Sequence, residues 1–422
     1  MAKKIIIAGG GLSGLTCANR LQAKGYKPVL LEAADELGGR IRTDRHKGFL
    51  LDRGFQVLLN SYPTPQRLLD FNSLKLGSFE PGALIRMGQR FHQLSDPWRR
   101  PGHLFSTAFS RVATFPDKIR MWKLRRETSR LAANSGEWLP EKTTLQYLRE
   151  FGFSNRLIDR FFRPFFGGVF LEESLATSCR KFTYLFHLFS TGLACLPNQG
   201  MQSIIRQLAE PLPHDQIRLG TRIENLSSSH VQLESGEILQ ADEVVLATDL
   251  QAAQQISGSP ADGGSHGVGC FYFAADRSPL RGRWLVLNGD EEGPINGLCV
   301  PSDASPGYAP VGKSLVSVTV LDTHGDPHAE GLLQQVREQL RGWYGSPVDD
   351  WEHLKTYSIP NALPVQEREP TFEAPAGEAG AGQGTPEQKS PVRCGDYLQF
   401  ASIEGAMSSG TRAAEQVLAR LR

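Results

Sequence analysis

The stretch IIIAGGGLSGLTCANRLQAKGYKPVLLE, residues 5–32, restricts the fold of this chain more than any other segment. It joins a short apolar run to a turn of the pattern G-x-G-x-x-G, formed by Gly9, Gly11 and Gly14. A helical pattern and a second apolar run follow. Such glycines permit a tight turn, a close approach of backbone to a pyrophosphate, and close packing of helix on strand. The segment therefore predicts the first β-α-β unit of a doubly wound parallel sheet that binds a dinucleotide.

Glu32 ends the second apolar run, eighteen residues after Gly14. A carboxylate at this place accepts hydrogen bonds from ribose hydroxyls, and its charge disfavours a 2′-phosphate. Leu12 and Ser13 open the helix and Ala33 follows the acid, so we include all three in the predicted nucleotide site. These residues leave open whether the dinucleotide is NAD or FAD.

A second glycine-rich segment, ELGGRIRT at residues 36–43, favours FAD. A nicotinamide dehydrogenase has no standard need for Gly38, Gly39 and Arg40 at this point. A flavin dinucleotide has a long pyrophosphate–ribitol section that passes here. The two glycines let backbone approach it, and the arginine offers a charge-assisted fork to phosphate oxygens.

With these motifs the chain resembles the flavin-containing amine oxidase superfamily, which includes protoporphyrinogen oxidases and phytoene-desaturase-like carotenoid enzymes. The resemblance spans most of the chain in four blocks. They are GGGLSGL…LLEAADELGGRIRT, GFLLDRGFQVLLNSYP, LGTRIENL…DEVVLAT and CGDYLQFASIEGAMSSGTRAAEQVL. It implies a resident, non-covalent FAD, since no cysteine lies where the monoamine-oxidase-like members attach their flavin covalently.

The resemblance also implies roles for residues of the middle blocks. Backbone of the second block should pass the flavin ring, with Arg53 nearby. In the third block, backbone should meet the adenine and then approach the dinucleotide. The residues concerned are Gly54, Phe55 and Gln56, then Ile223, and then Ala247 and Thr248.

The fourth block carries the C-terminal flavin motif that the resemblance implies. Asp396, after Gly395, should bind the ribitol. The start of the last helix, at residues 402–421, should face the pyrimidine edge of the flavin with Ser402, Ile403, Glu404 and Gly405. A helix N-terminus at that edge stabilises the negative charge of a reduced flavin, which agrees with the implied role.

The predicted fold class is α/β. A Rossmann-type FAD-binding domain, with a doubly wound parallel sheet and a β-meander, is interleaved with an α+β substrate domain. We assign residues 1–86, 200–260 and 385–422 to the first domain, and residues 87–199 and 261–384 to the second. Within these, 375–391 is rich in Gly, Ala, Pro and Gln and predicts a mobile surface loop.

The implied function is that of an FAD-dependent oxidoreductase. Hydride would pass from a C–H bond of a hydrophobic substrate, by C–C or C–N dehydrogenation, to flavin N5. A flavoprotein isomerase and a flavin-binding protein without turnover are the alternatives. The sequence assigns no catalytic side chain. Tyr397 and Phe400 lie near the block where amine oxidases carry paired aromatic residues, and FFRPFFGGVF, residues 161–170, is either buried core or the wall of an apolar pocket.

Composition excludes other classes of protein. The 422 residues have a formal net charge of +1, so no global field attracts nucleic acid. No apolar run is long enough for a transmembrane helix. The six cysteines form no C-x-x-C pair, which indicates a reducing, cytoplasmic compartment and no zinc site. The basic segment KIRMWKLRRETSR is compatible either with contact to a membrane surface or with a solvated helix face.

Two further motifs do not fit the functions they suggest. GYAPVGKS at residues 307–314 has phosphate-loop spacing, but the alternating run LVSVTVL follows it and predicts a strand where a helix is required. Lys313 is therefore interpreted as a solvated turn residue. DTHGDPH has metal-binding residue types, but Asp326 and Pro327 fit the start of a helix over 327–342 better than a metal site.

Overall fold

The computed structural model describes residues 3–95, 112–133, 139–258, 263–321, 326–369 and 390–422. Its strands are β1 Ile5–Ala8, β2 Val29–Leu31, β3 Thr43–His46, β4 Phe49–Asp52, β5 Leu58–Leu59, β6 Gly77–Ser78, β7 Gly82–Met87, β8 Arg90–Ser95, β9 Ala194–Leu196, β10 Ile217–Arg218, β11 Ile223–Leu226, β12 His230–Leu233, β13 Ile238–Gln240, β14 Glu243–Leu246, β15 Ser265–Ala275, β16 Leu285–Asn288, β17 Ile295–Cys299, β18 Ser314–Leu321, β19 Glu352–Pro364 and β20 Val392–Arg393.

The described residues also form α-helices. They are α1 Leu12–Gln22, α2 Pro63–Leu68, α3 Phe71–Leu74, α4 Phe115–Ala133, α5 Thr144–Glu150, α6 Asn155–Leu157, α7 Arg163–Phe170, α8 Cys179–Thr191, α9 Gln202–Ala209, α10 Leu250–Ser257, α11 Pro301–Ala304, α12 Leu332–Tyr344 and α13 Ile403–Arg420. A π-helical turn, Ile158–Phe162, joins α6 to α7. Short 3₁₀ turns occur at His214–Gln216, Pro306–Tyr308, Ser346–Asp350 and Asp396–Leu398.

A fully parallel five-stranded sheet of order β10-β2-β1-β14-β20 holds the glycine turn. Its central strand reads Ile-Ile-Ile-Ala and is buried along its whole length, as expected for a parallel sheet covered on both faces. The chain enters this sheet near its start, returns to it in the middle, and adds β20 near its end. The β-meander β11-β12-β13 lies beside it as a separate antiparallel sheet. The predicted fold class is thus confirmed.

A second, seven-stranded sheet has the order β19-β15-β18-β17-β16-β7-β8 and is antiparallel except for the pair β16–β7. The predicted strands at 268–275 and 314–321 belong to it. Its β15 pairs with β18 from Val268 to Ala275 and with β19 on its other side. One hydrophobic cluster joins the parallel sheet to the helices of residues 144–191, and another packs α12 on the seven-stranded sheet. The exact domain boundaries stay a prediction.

Three details differ from the sequence analysis or fall outside what is described. Helix α12 begins at Leu332, after Gly331 with φ 89°, and not at Pro327. Asp326 instead accepts a hydrogen bond from His328 N in a local turn, which uses the carboxylate before the helix starts. The predicted loop at 375–391 lies outside the described residues for nearly all its length. Among the helices that are described, none is both long and apolar enough to cross a bilayer.

The last helix, α13, packs directly across the first helix, α1. A Cβ on Gly410 would lie 2.2 Å from the carbonyl oxygen of Ser13, so the two backbones touch where neither can carry more atoms. In the same region Gly395 N donates to Ser409 Oγ at 3.0 Å. This contact brings the C-terminal block to the glycine turn at the start of the chain.

Replacing Gly410 by alanine should therefore destabilise the protein. We expect Gly410→Ala to lower the free energy of unfolding by about 1–3 kcal/mol, because the added methyl overpacks the α1–α13 contact. Gly342 is the matched control, since it lies in helix α12 with nothing within 4 Å of an added Cβ. Gly342→Ala should raise stability by about 0.5–1 kcal/mol through helix propensity. Urea denaturation measures both, and equal effects of the two substitutions would contradict the packing argument.

Candidate functional site

One large cavity, of about 1110 Å³, runs from the glycine turn to helix α4. The residues predicted to hold the cofactor come together around it from all four blocks of the chain. Those that line it are Gly9, Gly11, Leu12, Ser13, Glu32, Ala33, Gly38, Gly39, Arg40, Gly54, Phe55, Gln56, Ile223, Ala247, Gly395, Asp396, Ser402 and Ile403. Gly14 lies behind the cavity wall, where a Cβ would come within 1.9 Å of the Gly9 carbonyl oxygen.

The glycine turn has the geometry that an anion requires. Gly9 has φ 118°, a backbone conformation that favours glycine, and its N–H donates to Leu31 O at 2.8 Å. A Cβ added to Gly11 would meet no atom within 4 Å, so the side of this residue that faces the cavity is open. Helix α1 begins there without a side-chain cap. The N–H groups of its first turn are therefore available to a phosphate.

The carboxylate of Glu32 is held in place by backbone. Its Oε2 accepts from Gly10 N and its Oε1 accepts from Ala34 N, both at 2.8 Å. A Cβ on Gly10 would lie 2.5 Å from Leu37 Cδ2, so the turn and the acid share one tightly packed corner. Each carboxylate oxygen can accept a further hydrogen bond from a ribose hydroxyl.

Arg40 links three distant segments at the centre of the cavity. Its Nη2 pairs with Asp396 Oδ1 at 2.6 Å, and its Nη1 donates to Ala362 O at 2.9 Å. Its own carbonyl accepts from Gln56 Nε2 at 3.0 Å. Burial opposes the charge, but the Asp396 carboxylate outweighs it and raises the pKa of Arg40. The predicted phosphate ligand and the predicted ribitol ligand thus form one ion pair.

The start of α13 differs in part from its predicted role. Ser402 caps the helix by accepting from Gly405 N at 3.0 Å, and it lines the cavity with Ile403. Glu404 and Gly405 do not line it. The Glu404 carboxylate is buried and accepts from Thr64 N at 2.8 Å and Thr64 Oγ1 at 2.6 Å. Helix α2 has no side-chain cap of its own, so Glu404 fills that need rather than facing a flavin.

Asp52 supports the cavity wall and was not singled out from the sequence. It ends β4, directly before the wall residues 53–57. Its carboxylate accepts from Tyr308 OH at 2.6 Å, from Met201 N at 3.1 Å, and from Thr43 Oγ1. Its carbonyl accepts from Tyr272 OH at 2.8 Å. Burial raises the pKa of Asp52 to about 6, although the three donors favour its charged form. The sequence signal that could have identified Asp52 is an acid at the end of a short apolar run, Phe-Leu-Leu-Asp.

The phenylalanine-rich segment is both core and wall. Phe162, Phe166 and Phe170 are buried, one helical turn apart. Phe161, Phe165 and Phe166 line the cavity, and the rings of Phe161 and Phe165 stack with their centroids 5.6 Å apart. Both interpretations of residues 161–170 therefore hold, and Phe166 belongs to the core and to the wall at once.

Other residues considered from the sequence lie away from the cavity. Lys313 forms an exposed ion pair with Asp276 and is followed by strand β18, which confirms that the phosphate-loop spacing is accidental. Tyr397 packs under Gly395, and Phe400 contacts Tyr184 with ring centroids 5.7 Å apart; neither lines the cavity. Within the described part of the chain, no group of His, Cys, Asp and Glu could hold a metal ion.

A parallel sheet, an uncapped helix at its glycine turn and a cavity that continues into an apolar chamber define the class of dinucleotide-binding proteins. The chain belongs to the family of flavin containing amine oxidoreductases, whose family model matches residues 12–418. It is an FAD-dependent oxidoreductase by this membership. The glycine turn, the open face of Gly11 and the paired Arg40 and Asp396 are compatible with that cofactor.

Comparisons with individual proteins agree with the family. Coproporphyrinogen III oxidase of Propionibacterium freudenreichii subsp. freudenreichii is 25% identical over 488 residues, covering 92% of this chain and 89% of that enzyme. A 15-cis-phytoene desaturase of an Oncidium hybrid cultivar is 42% identical over 66 residues, 15% of this chain and 11% of that enzyme. The structure of wild-type putrescine oxidase bound to putrescine superposes with a TM-score of 0.71 at 16% identity, covering 99% of both chains.

The ion pair at the cavity centre generates one prediction. Arg40→Ala removes the cation that is hydrogen-bonded to the buried Asp396 carboxylate and should weaken FAD binding by about 3 kcal/mol. Asp396→Asn in the same chain should restore part of the loss of stability, because the uncompensated charge is gone. The control is Arg218→Ala, whose partner Glu237 is exposed and whose loss should leave FAD binding unchanged. The FAD-to-protein ratio and urea denaturation measure these effects; additive losses in the double variant would contradict a coupled pair.

Asp52 generates a prediction about pH. Because its pKa in the folded protein lies near 6 and the ordinary value lies near 4, the native state holds a proton over that window that the unfolded chain has released. This contribution is complete below about pH 4 and is lost as pH rises to about 6, which amounts to about 2–3 kcal/mol. Asp52→Asn removes it. The stability difference between wild type and variant should therefore shift by that amount between pH 4 and 7.

Asp276→Asn is the control for the same chemical change, since Asp276 is exposed and Lys313 lowers its pKa. Its stability difference from wild type should not change above about pH 4. A pH-independent difference for Asp52→Asn, measured by urea denaturation across the window, would show that the Asp52 carboxyl is already ionised at pH 4.

Proposed function

We propose that this protein dehydrogenates an extended apolar substrate: one substrate carbon gives up a hydride, its neighbour gives up a proton that is released to solvent, and a double bond forms between them. FAD supplies the acceptor, N5 of its isoalloxazine ring. The observation that carries the proposal is the continuity of one cavity from the dinucleotide turn into a chamber walled by phenylalanine side chains. Such a chamber excludes water and holds an apolar molecule against the far end of a bound dinucleotide.

The proposed roles of the cofactor-binding residues follow from their places around the cavity. The first turn of α1, which begins after Gly11, holds the pyrophosphate together with Arg40. Glu32 accepts from the adenosine ribose, and Asp396 accepts from the ribitol. The N-terminus of α13, at Ser402, presents its positive end to the pyrimidine edge of the flavin. These assignments are supported by the fact that the residues named here, from all four blocks, line the same cavity.

The charges in the chamber favour a substrate that is not a cation. Glu80 and Asp117 contribute carboxylates to the cavity wall. The Glu80 carboxylate pairs with Arg283 at 3.3 Å. Asp117 accepts from Ser154 Oγ and Thr114 Oγ1, each at 2.6 Å, and these donors lower the pKa of its buried carboxyl. Asp117 also lies 3.7 Å from the guanidinium of Arg120. Both carboxylates thus have a cationic partner within this chain, which favours dehydrogenation of C–C bonds over oxidation of an amine.

We propose an extended polyene or a tetrapyrrole-type ring as the substrate class. The rings of Phe161, Phe165 and Phe189 form a continuous wall, with Phe165 and Phe189 edge to face at 5.2 Å. The relative that matches nearly the whole chain is an oxidase of coproporphyrinogen III, and a shorter match is to a desaturase of phytoene. Transfer of the hydride to the flavin needs no acid–base side chain. The wall residues therefore act by binding the substrate, orienting it and excluding water from it.

We also propose a reducing, cytoplasmic compartment. All six cysteines are buried and none is paired in a disulfide. Burial raises the pKa of Cys17, Cys270 and Cys394, so these side chains remain neutral thiols that pack as apolar groups.

Anaerobic titration of the purified yellow protein tests the proposed function. Coproporphyrinogen III or phytoene, as representatives of the two substrate types, should bleach the flavin absorbance, and putrescine should not. Bleaching by putrescine alone would overturn the proposed substrate class. Turnover that requires reduced FAD and consumes no electron acceptor would instead identify an isomerase. A flavin absorbance that no ligand changes would identify a binding protein without turnover.

Phe165 tests the role of the chamber. Phe165→Ser removes a wall ring and should raise the KM of the bleaching substrate about tenfold or more, since burying a phenylalanine is worth roughly 2 kcal/mol. The flavin spectrum of the protein should be unchanged. Val311→Ser, at a fully exposed site, serves as the control and should alter neither quantity. An unchanged KM in the Phe165 variant would place the substrate elsewhere.

A further inference from the structure

Large apolar side chains on the surface are concentrated in one helix. Six large hydrophobic residues are exposed in the described part of the chain, and three of them belong to α4. Phe115, Ile119 and Trp122 are 75%, 46% and 40% exposed. Their spacing of four and then three residues places them in one stripe on the same side of the helix. Exposed apolar residues that cluster in this way mark an interaction surface.

The stripe continues as a basic surface along the same side of α4. Lys123, Arg126 and Arg130 are exposed there, one turn further on. The Arg126 guanidinium lies over the Trp122 ring, 4.9 Å from its centroid, and so joins the apolar and basic parts. Over its whole length α4 has six basic residues and two acidic ones, and one of these acids, Asp117, is buried. We call the three exposed apolar residues and the three exposed basic residues together the α4 face.

A neighbouring side of the same helix lines the substrate chamber. Lys118, Met121 and Arg125 line the cavity together with Phe161 and Phe189. Helix α4 therefore contributes one side to the chamber and the adjoining side to the α4 face, since the lining residue Lys118 is one helical turn from Trp122. The chamber and the α4 face are formed by adjoining sides of the same helix.

We propose that the α4 face docks on a bilayer that contains anionic lipids, and that an apolar substrate enters the chamber from that bilayer. This inference rests on the proposed function, because it names where the apolar substrate is held before it is oxidised. Phenylalanine and isoleucine insert among acyl chains, tryptophan lies at the headgroup level, and the basic residues attract anionic headgroups. An apolar protein surface would offer no negative charge to Lys123, Arg126 and Arg130, whereas an anionic bilayer offers both acyl chains and negatively charged headgroups. The combination of apolar and basic residues therefore favours a membrane.

Flotation of the full-length FAD-loaded protein with vesicles tests the docking. Vesicles of phosphatidylcholine with about one-third phosphatidylglycerol should bind the wild type, more weakly as salt is raised, and pure phosphatidylcholine should bind it less. The variant Phe115→Ser, Ile119→Ser, Trp122→Ser should lose about tenfold or more of its vesicle partition coefficient. Lys123→Ser with Arg126→Ser should lose the preference for the anionic lipid.

The matched control carries serine at the three other exposed apolar positions, Leu219, Ile238 and Val311, and should bind vesicles as the wild type does. An unchanged flavin spectrum shows that each variant is folded and loaded. A wild type that ignores anionic vesicles, or an α4-face variant that binds them as well as the control, overturns the proposal. Self-association that disappears in the α4-face variant while vesicles are ignored would also overturn it, in favour of a protein partner.

Substrate entry is tested separately from turnover. With substrate dissolved in vesicle membranes, the α4-face variant should oxidise it at least about tenfold more slowly than the control variant, in line with its lost partitioning. With the same substrate in detergent micelles, the two variants should be equally active. Failure of both variants in detergent would contradict the proposed function, whereas equal rates on vesicles would contradict entry from the bilayer.

Discussion

Gly410 lies so close to the Ser13 carbonyl that no side chain fits between α13 and α1. This backbone contact joins two segments that are almost the whole chain apart in sequence. It places Asp396 beside Arg40, and the capped start of α13 beside the glycine turn. The cavity exists because these two helices approach to the limit that sterics allow. The ion pair and the cap are consequences of that approach, since each needs groups that only the packing brings within reach.

Local rules in the sequence predicted the parts of the structure that local physics decides. The glycine turn, the strand β1 and the bounds of α13 each depend on neighbours within a few residues. Of the residues predicted for the cofactor, all but Gly14, Glu404 and Gly405 line one cavity, because they were chosen by motif and the fold brings the motifs together. Gly14 lies behind the cavity wall because the third glycine of this motif allows the helix to pack closely on the strand.

The features that the sequence analysis did not predict depend mainly on partners that are far away along the chain. Glu404 has the position of a flavin contact, but the uncapped start of α2, far earlier in the chain, takes its carboxylate. Asp52 gains its importance from Tyr308, Met201 and Tyr272, which no spacing along the chain connects to it. Asp326 satisfied a local turn before α12 could begin. In each case a polar group had two possible partners, and tertiary structure decided between them.

The parallel sheet is assembled from three separate stretches of chain, and its edge strand β20 pairs with β14 only through residues 392–393. A nascent chain emerging from the ribosome therefore exposes β14 as an unfinished edge throughout the synthesis of the residues between Leu246 and Val392. Such edges are where chains pair wrongly or aggregate. The edge of β14 is thus covered only after residues 392–393 have been synthesised, and the part of the cavity wall that Ser402 and Ile403 contribute is made later still.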